Sequence, residues 1–436
     1  MCSNVQKKNK FAVKKTEAKK ERGYIVSLAP PLSSLDGAAS AAFFHRHAES
    51  RGSLSPAGGM RHLDSRQAER LTDDLIVEIL SRVPAKSLCR FKCVSKHWLS
   101  LTNERKYCKK LPQTLAGVFY SCPSGDGFLE PFVQFTSATP RCRSPVCTSL
   151  AFLPNHQRAI LLDGCNGLLL VLWCPSAQGP ECYYVVCNPA TEKWVALPDP
   201  NQVNKEDVLH LGLSFDLAVS SHFHVFAFLK KKDGCEWDPY WCGVEVYSSE
   251  TGTWVYKDNV WNGDIMLANH QSASVFLDGY MHFHAFHREP SYRCLAVVDT
   301  KGETATHFRV PGGIYQGFIQ KSQGCLHYAN FQRDEGSAVI RFVVYVLKDY
   351  GSKEWTLKHS SETSYIFGEN LAYLHPHFEW IMIHPDCNLI FFTVGHGIWC
   401  YNMDRRQVEL IPDTEYCMGP YLPYVPLYSE LPSLHE

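Results

Sequence analysis

Residues 185–198, VVCNPATEKWVALP, contain an apolar run, a polar turn that begins at Asn188, and a tryptophan six residues later. Four later segments share the apolar run and the polar turn: VEVYSSETGTWVYK (244–257), LAVVDTKGETATHFRVP (295–311), VVYVLKDYGSKEWTLK (343–358) and IWCYNMDRRQVELIP (398–412). Two of them also have a tryptophan six residues after the turn begins, Trp254 and Trp355. The turns of the four segments begin at Ser248, Asp299, Asp349 and Asn402, so successive turns are 50 to 60 residues apart. A repeat of this length with several strands in each unit is typical of a propeller blade.

A second apolar run precedes each of these segments. The five runs are NGLLLVLW (166–173), HFHVFAFL (222–229), DGYMHFHAF (278–286), GCLHYANF (324–331) and NLIFFTVG (388–395). We expect FLEPFVQFTS (128–137) with SLAFL (149–153) to supply a further blade, and YLPYVPLY (421–428) to close the ring. The sequence therefore predicts an all-β propeller of about six or seven blades, in which each blade buries its faces against its neighbours.

Ahead of these strands, residues 71–98 have a helical pattern, LTDDLIVEILSRVPAKSLCRFKCVSKHW. Leu75, Ile76, Ile79, Leu80 and Val83 recur at helical spacing. Thr72 is placed to cap the first helix, Pro84 to end it and start a second, and Ser95 to cap a third. Three short helices in about 40 residues rarely fold unaided. Because they carry more large apolar side chains than they can bury among themselves, we expect a partner surface.

The first 68 residues are of another kind. Residues 7–22, KKNKFAVKKTEAKKER, hold eight basic and two acidic side chains, and an Ala-, Ser- and Gly-rich stretch follows. This composition predicts a disordered tail. The basic run fits either a nuclear-import signal or a solvated tail.

The composition excludes several functional classes for the whole chain. The apolar fraction of 45% over 436 residues predicts a packed core, and the net charge of -1 gives no reason to expect nucleic acid as the main partner. We find no signal peptide and no run of 18 apolar residues, so we expect no membrane span. The 18 cysteines contain no CxxC pair. We therefore expect reduced, mostly buried thiols and a cytoplasmic or nuclear location.

The helical segment resembles the F-box of plant proteins in the elements LTDDL (71–75), EIL (78–80), SRVP (81–84), KSL (86–88) and CVSKHW (93–98). It departs from that pattern at Thr72, where the family more often has proline. The resemblance implies docking on the Skp-type adaptor of an SCF ubiquitin ligase and, through it, on the cullin and RING subunits. It assigns to that interface, or to the small core behind it, Leu71, Leu75, Ile79, Leu80, Pro84, Leu88, Val94, Lys96 and Trp98.

The C-terminal region is similar to the F-box-associated, kelch-like propeller of plant F-box proteins. The segments that carry this resemblance are LLDGCNGLLLV (161–171) and VVCNPATEKWVALPDP (185–200). The Gly-Gly pair of kelch repeats is mostly missing. We thus expect a multidomain chain: a disordered basic tail (1–68), a small all-α F-box of three short helices (69–112) and an all-β, kelch-like propeller (113–430).

The residues that could bind a metal or take part in catalysis can each also be explained by a structural role. His282, His284 and His287 on one strand, and His375, His377, His384 and Cys387 further on, fit either metal ligands or ordinary hydrogen-bonded side chains. Asp299 and Asp349 stand at turn positions, where their side chains bond nearby amides. We see no catalytic serine or cysteine setting and no phosphate-binding glycine loop, and we expect neither metal nor cofactor.

Three aromatic side chains, Trp237, Tyr240 and Trp241, fall outside the repeat, in a predicted loop. Aromatic residues in a loop make good binding anchors, so we predict them to contact a target protein; a packed loop is the alternative. The function expected is a non-catalytic substrate-recognition adaptor of an SCF-type ubiquitin ligase. The alternatives are an F-box scaffold that degrades nothing and a propeller enzyme.

Overall fold

The computed structural model describes residues 72–83, 96–103, 107, 115–122, 132–137, 150–175, 181–200, 208–230, 241–258, 261, 264–267, 274–288, 290–313, 317–336, 339–368, 378–395, 397–411 and 419–435. The chain divides into two units, Met1–Glu69 and Arg70–Glu436, and every described residue belongs to the second. The predicted basic tail therefore lies outside the described residues.

Two helices of the N-terminal helical segment are described, α1 (Asp73–Ser81) and α2 (Lys96–Asn103). Thr72 stands at the N-cap of α1, where its carbonyl accepts the amide of Ile76 (3.0 Å), although its hydroxyl makes no capping hydrogen bond. The acidic first turn favours this end of the helix. The helix predicted to start at Pro84 lies outside the described residues, so three helices remain a prediction.

The described strands form six antiparallel sheets, which are the blades of the propeller and are numbered in chain order. Blade 1 comprises β1 (Gly117–Cys122), β2 (Phe132–Ser137) and the C-terminal β24 (Tyr421–Tyr424); blade 2 comprises β3 (Ala159–Cys165), β4 (Leu168–Trp173), β5 (Tyr183–Asn188) and β6 (Lys193–Ala196). Blade 3 comprises β7 (Val208–Ser214), β8 (His224–Lys230), β9 (Trp241–Ser248) and β10 (Thr253–Asp258).

Blade 4 comprises β11 (Ile265–Leu267), β12 (Val275–Leu277), β13 (Tyr280–His287), β14 (Tyr292–Asp299) and β15 (Ala305–Arg309). β11 and β12 both pair with β13, so together they count as the first strand of this blade. Blade 5 comprises β16 (Phe318–Ser322), β17 (Cys325–Arg333), β18 (Ile340–Leu347) and β19 (Trp355–Glu362), after which a one-turn helix α3 (Thr363–Phe367) leads to the next blade. Blade 6 comprises β20 (Glu379–Ile383), β21 (Leu389–Val394), β22 (Gly397–Asn402) and β23 (Gln407–Ile411).

The ring closes through the C-terminal strand. β24 pairs antiparallel with β1, Gly117 lying opposite Tyr424, and it also contacts the first strands of blades 2 and 6. Blade 1 is therefore built from both ends of the propeller. Beyond β24, Leu427 accepts a hydrogen bond at its carbonyl from the Asn188 side-chain amide (2.8 Å) and packs on the core between blades 2 and 3.

The number of blades is six, within the predicted range. The prediction of a strand at SLAFL was wrong: residues 151–155 form turns, and Leu150 and Leu153 bury their side chains in the core of blades 1 and 2. FLEPFVQFTS and YLPYVPLY contribute β2 and β24 to one blade, because strands from the two ends of the propeller must pair to remove the open sheet edge. The kelch-like type of the repeat remains a prediction.

The polar turn of each repeat joins the third strand of a blade to the fourth. Side chains at the start of these turns accept backbone amides, as Asp299 does from Lys301, Glu303 and Thr304 and as Asn402 does from Asp404 and Arg405. Burial would raise the pKa of Asp299, but these hydrogen bonds hold it below its usual value. The turn interpretation of Asp299 and Asp349 is confirmed, since Asp349 accepts the amide of Gly351 (2.9 Å).

The repeated tryptophans join neighbouring blades. Trp254 is buried, and its Nε1 donates to the carbonyl of Pro198 at the end of blade 2 (2.8 Å). Trp355 makes the equivalent hydrogen bond, from its Nε1 to the carbonyl of Arg309 at the end of blade 4 (3.2 Å). Trp194 packs edge-on against Trp173 within its own blade, with centroids 5.4 Å apart. These side chains therefore belong to blade packing.

Candidate functional site

The helical segment separates its apolar side chains into an inner and an outer set. Ile76, Val77 and Leu80 of α1 pack with Leu101 and Tyr107 in a small buried cluster. On the other side of α1, Leu75 and Ile79 leave 51% and 49% of their surface exposed. Residues four apart on a helix lie side by side, so these two form a continuous apolar strip. A large exposed apolar strip beside a buried cluster marks an interaction site.

Polar contacts hold the two helices together around this cluster. Asp73 of α1 forms an ion pair with His97 of α2, with 3.0 Å between oxygen and Nε2. Tyr107 contacts the Asp74 carboxylate through its hydroxyl at 3.4 Å. Both carboxylates lie in the first turn of α1. The orientation of the exposed strip is thus fixed by partners on the same segment.

The structure places the residues predicted for adaptor binding in different environments. Leu75 and Ile79 are exposed, Leu80 is fully buried, and Trp98 is half-buried against the cluster that contains Leu80. Lys96 begins α2, and nothing is described of its side chain. Four residues lie outside the described part of the chain: Leu71, Pro84, Leu88 and Val94. The adaptor-binding role of all nine remains a prediction.

Antiparallel topology gives the propeller two rims. We call the rim that carries the first-to-second and third-to-fourth strand connections the turn rim, and the opposite one the loop rim. Trp237 and Tyr240, in the sequence between β8 and β9, lie outside the described residues. Trp241 opens β9 opposite Lys230, and nothing is described of its side chain. Target contact by these aromatics therefore stays a prediction.

Two of the three histidines of β13, His282 and His284, lie between blades 4 and 5. His282 is buried, with Nδ1 2.9 Å from the Val275 carbonyl and Nε2 2.9 Å from the Tyr350 hydroxyl. Burial lowers the pKa of both His282 and His284 to about 4. His287 stacks on Tyr292 at 4.7 Å near the loop rim. Among the described residues, no three histidine, cysteine or acidic side chains form a group that could hold a metal ion; His375 and His377 lie outside them.

Sequence reasoning overlooked a buried carboxylate, Asp163, on the first strand of blade 2. It accepts the amides of Gly164 and Leu213 (both 2.8 Å) and the hydroxyl of Ser274, so it joins blades 2 and 3 and the start of β12 in blade 4. Burial raises the pKa of Asp163 to about 6, although the three hydrogen bonds act to lower it. Asp163 stands in an apolar run and does not recur at the repeat spacing, so the sequence did not identify it as a functional or structural residue.

The prediction of reduced thiols was wrong for one pair. Cys174 and Cys182 form a disulfide across the β4–β5 hairpin. Trp173 pairs with Tyr183 in that hairpin, so the next pair outward brings the two cysteines to a Cα–Cα distance of 4.2 Å. Of the free cysteines in the described part of the chain, Cys187 and Cys294 are buried, and the others are half-buried: Cys165, Cys325, Cys387 and Cys400. The two cysteines are eight residues apart, a spacing that differs from the CxxC pair.

Two family models match the chain. The model described as "F-box protein At3g26010-like, beta-propeller" matches residues 142–415, more than half of the chain, and the model described as "F-box domain" matches residues 69–110. The chain belongs to the At3g26010-like F-box propeller family. Blade 1 extends beyond the matched propeller range, since β1, β2 and β24 lie outside residues 142–415.

Two relatives in Arabidopsis thaliana are named as F-box proteins. The chain is 27% identical to "F-box protein At5g07610" over 307 residues, which cover 66% of this chain and 69% of that protein. It is 20% identical to "F-box protein At1g30790" over 369 residues, covering 79% and 90%. Among solved structures, a DUF4784 family protein from Bacteroides caccae is similar at 9% identity and a TM-score of 0.37, covering 72% of this chain and 74% of that one, a likeness too low to support an argument.

Within the described ranges, no helix has the length and apolar character needed to cross a membrane. The family assignment rests on the two family models that match the propeller and the F-box. An F-box combined with a propeller indicates, at the level of the family, an SCF substrate adaptor that binds a Skp-type partner.

Proposed function

We propose that this chain is the substrate-recognition subunit of an SCF-type ubiquitin ligase. Its F-box binds a Skp-type adaptor, which connects it to the cullin and RING subunits, and its propeller binds a target protein. The observation that supports this most directly is the half-exposed pair Leu75 and Ile79, on a helix whose other apolar side chains are buried. Full burial of two such side chains contributes roughly 1 kcal/mol each.

The chain itself carries out no bond chemistry in this proposal. Holding the lysines of a target near a charged conjugating enzyme raises the effective concentration of the reacting groups. The propeller contributes a rigid frame with six sets of connecting loops, and such loops vary freely between proteins with one fold. We propose the cytoplasm or nucleus as the location, although the Cys174–Cys182 disulfide is unusual for a reducing compartment.

The decisive experiment is co-purification of the full chain with a Skp-type adaptor and cullin. The variant Leu75→Asp, Ile79→Asp places two carboxylates in the exposed strip, where docking would bury them without a partner. That costs several kcal/mol and should weaken the complex by more than a hundredfold. Leu410→Asp is the matched control, since Leu410 is 52% exposed on the outer strand of blade 6.

Leu80 is unsuitable as the docking probe, because it lies in the buried cluster and an aspartate there would unfold α1. If the Leu75/Ile79 double variant binds the adaptor as the wild type does while Leu410→Asp also binds, the exposed strip is not the docking surface. The scaffold alternative is separated by a second readout. A ligase subunit promotes ubiquitination of its bound target and proteasome-dependent loss of that target, whereas a scaffold does neither.

A further inference from the structure

A pocket of about 350 Å³ opens on blade 5, between the β16–β17 turn and strands β17, β18 and β19. The side chains of Lys348 and Lys358 line it together with Thr356, Leu357 and His327, and none of its lining residues is acidic. Gln323 stands at the turn, so the pocket belongs to the turn rim. Its volume falls within the usual range of ligand sites.

Lys358 is held in a defined position at the wall of this pocket. Its Nζ donates to Gln323 Oε1 (3.2 Å) and lies 3.0 Å from His327 Nε2. The other ring nitrogen of His327, Nδ1, lies 3.2 Å from the Cys325 carbonyl oxygen, which can only accept a hydrogen bond. Nδ1 therefore carries the proton, and Nε2 accepts from the ammonium group. Two of the three ammonium hydrogens are used, and one remains for a ligand.

The charges around the pocket leave it positive. Burial lowers the pKa of Lys358, and Asp404 on the facing turn of blade 6 acts in the opposite direction; Asp404 is itself bonded by Asn388 Nδ2 (2.8 Å). Arg406 follows on the same turn and acts on His359. Burial and, to a smaller extent, the charge of Lys358 lower the pKa of His327 to about 4, so this ring adds no charge at neutral pH. Two lysines thus line the pocket, and the carboxylate that acts on Lys358 lies outside its lining.

We propose that this pocket binds a phosphate group carried by a side chain of the target protein. A phosphorylated residue has a charge of about −1.5 to −2 and three acceptor oxygens at neutral pH. Two ammonium groups and the Thr356 hydroxyl match that charge and those acceptors, whereas a carboxylate would need only one lysine. Lysine binds phosphate as a point charge and needs no planar geometry. Leu357, half exposed at the same wall, offers an apolar contact to the neighbouring residue of the target.

This inference rests on the proposed function, since it names the chemical class of the target. Target selection would then depend on prior phosphorylation of the target.

The test uses the purified full chain immobilised without any adaptor, so that docking through the F-box plays no part. The probes are a degenerate phosphoserine and phosphothreonine peptide library, the same library without phosphate, and inorganic phosphate as competitor. We expect the chain to retain the phosphorylated peptides at least tenfold better than the unphosphorylated peptides. We expect the variant Lys348→Met, Lys358→Met to lose that preference, and millimolar inorganic phosphate to reduce it.

Lys301→Met is the matched control, because Lys301 is an exposed lysine on the equivalent turn of blade 4. Equal retention of the two pools, or an unchanged preference in the double lysine variant, would overturn the proposal. Binding of inorganic phosphate with no preference for phosphopeptides would also overturn it, since it would indicate a site for a free anion. Adaptor co-purification is measured separately, so failure here leaves the F-box proposal standing.

Discussion

Leu75 and Leu80 lie five residues apart on α1 and face opposite environments, Leu75 being half exposed and Leu80 fully buried. This difference separates the two roles that the helical segment combines. Leu80 supports the fold of the segment through Ile76, Val77, Leu101 and Tyr107, and Leu75 is available to a partner.

We expect Leu80→Ala to destabilise the helical segment by about 2 to 5 kcal/mol, because it leaves a cavity in a small cluster. Leu75→Ala should change its stability by less than about 0.5 kcal/mol. Hydrogen exchange of the α1 amides measures both, with protection lost in the first variant and kept in the second. Comparable loss of protection in Leu75→Ala would show that Leu75 is needed for folding.

Stability of the propeller should fall as the pH falls below 6.5, in part through His282. Burial lowers the pKa of this residue to about 4 in the folded chain, against 6.5 in the unfolded chain. Between these values the unfolded state binds more protons, so acid favours unfolding, by up to about 3 kcal/mol for this group. The variant His282→Gln should lose less stability than the wild type between pH 7 and pH 5, whatever its stability at pH 7. Urea unfolding at the two pH values tests this, and parallel losses would count against it.

The sequence predicts the second, third and fourth strands of blades 2 to 6, because each has an apolar run of its own and the third-to-fourth turn repeats a polar residue. Asn188 and Trp194 are enough to recognise the repeat. The first strands were harder to recognise: β7 and β16 mix polar residues such as His210 and Lys321 with apolar ones, as strands at the centre of a ring do.

Long-range contacts explain most of what the sequence did not predict. Tyr424 pairs with Gly117, and Asp163 bonds Ser274, across about 300 and 110 residues respectively, and no local pattern reports such a pairing. In the helical segment, periodicity identified Leu75 and Leu80 as members of one apolar set. It could not say which of them faces the cluster, since that depends on where α2 packs.

Ser274→Ala should raise the pKa of Asp163 above its value of about 6. Burial raises this pKa, and the Ser274 hydroxyl is the largest influence that lowers it. A hydrogen bond to a charged group contributes about 1.5 to 3 kcal/mol, so the variant should lose roughly that much stability at pH 7.5. The loss should be smaller at pH 5, where the carboxyl group is protonated.

Unfolding of Ser274→Ala at the two pH values gives this difference directly. A loss of equal size at both would show that the hydroxyl stabilises the protein by packing alone. Ser352→Ala serves for comparison, since the Ser352 hydroxyl lies on the β18–β19 turn of blade 5 and donates to the Asp349 carbonyl rather than to a carboxylate.

Replacing both Cys174 and Cys182 by serine should reduce the stability of blade 2 by about 2.5 kcal/mol, from the loop-closure entropy of a nine-residue ring. Hydrogen exchange in β4 and β5 should show the change, with little effect in blade 5. Thiol titration of the unfolded wild type before and after reduction should differ by two groups. An unchanged count would mean that the two cysteines are reduced in the isolated protein.

Lys358→Met should raise the pKa of His327 while leaving it below 6.5. Burial is the larger cause of its low value, about 4, and persists in the variant, whereas the repulsion from the nearby ammonium is removed. The folded pKa lies below that of the unfolded chain, so His327 opposes folding as the pH falls below 6.5, and this opposition should weaken in the variant. NMR titration of the imidazole ring measures the shift, with Lys301→Met as the control expected to leave it unchanged. A pKa that does not move in Lys358→Met would mean that the ammonium lies away from Nε2, and the pocket would then lack its defined donor.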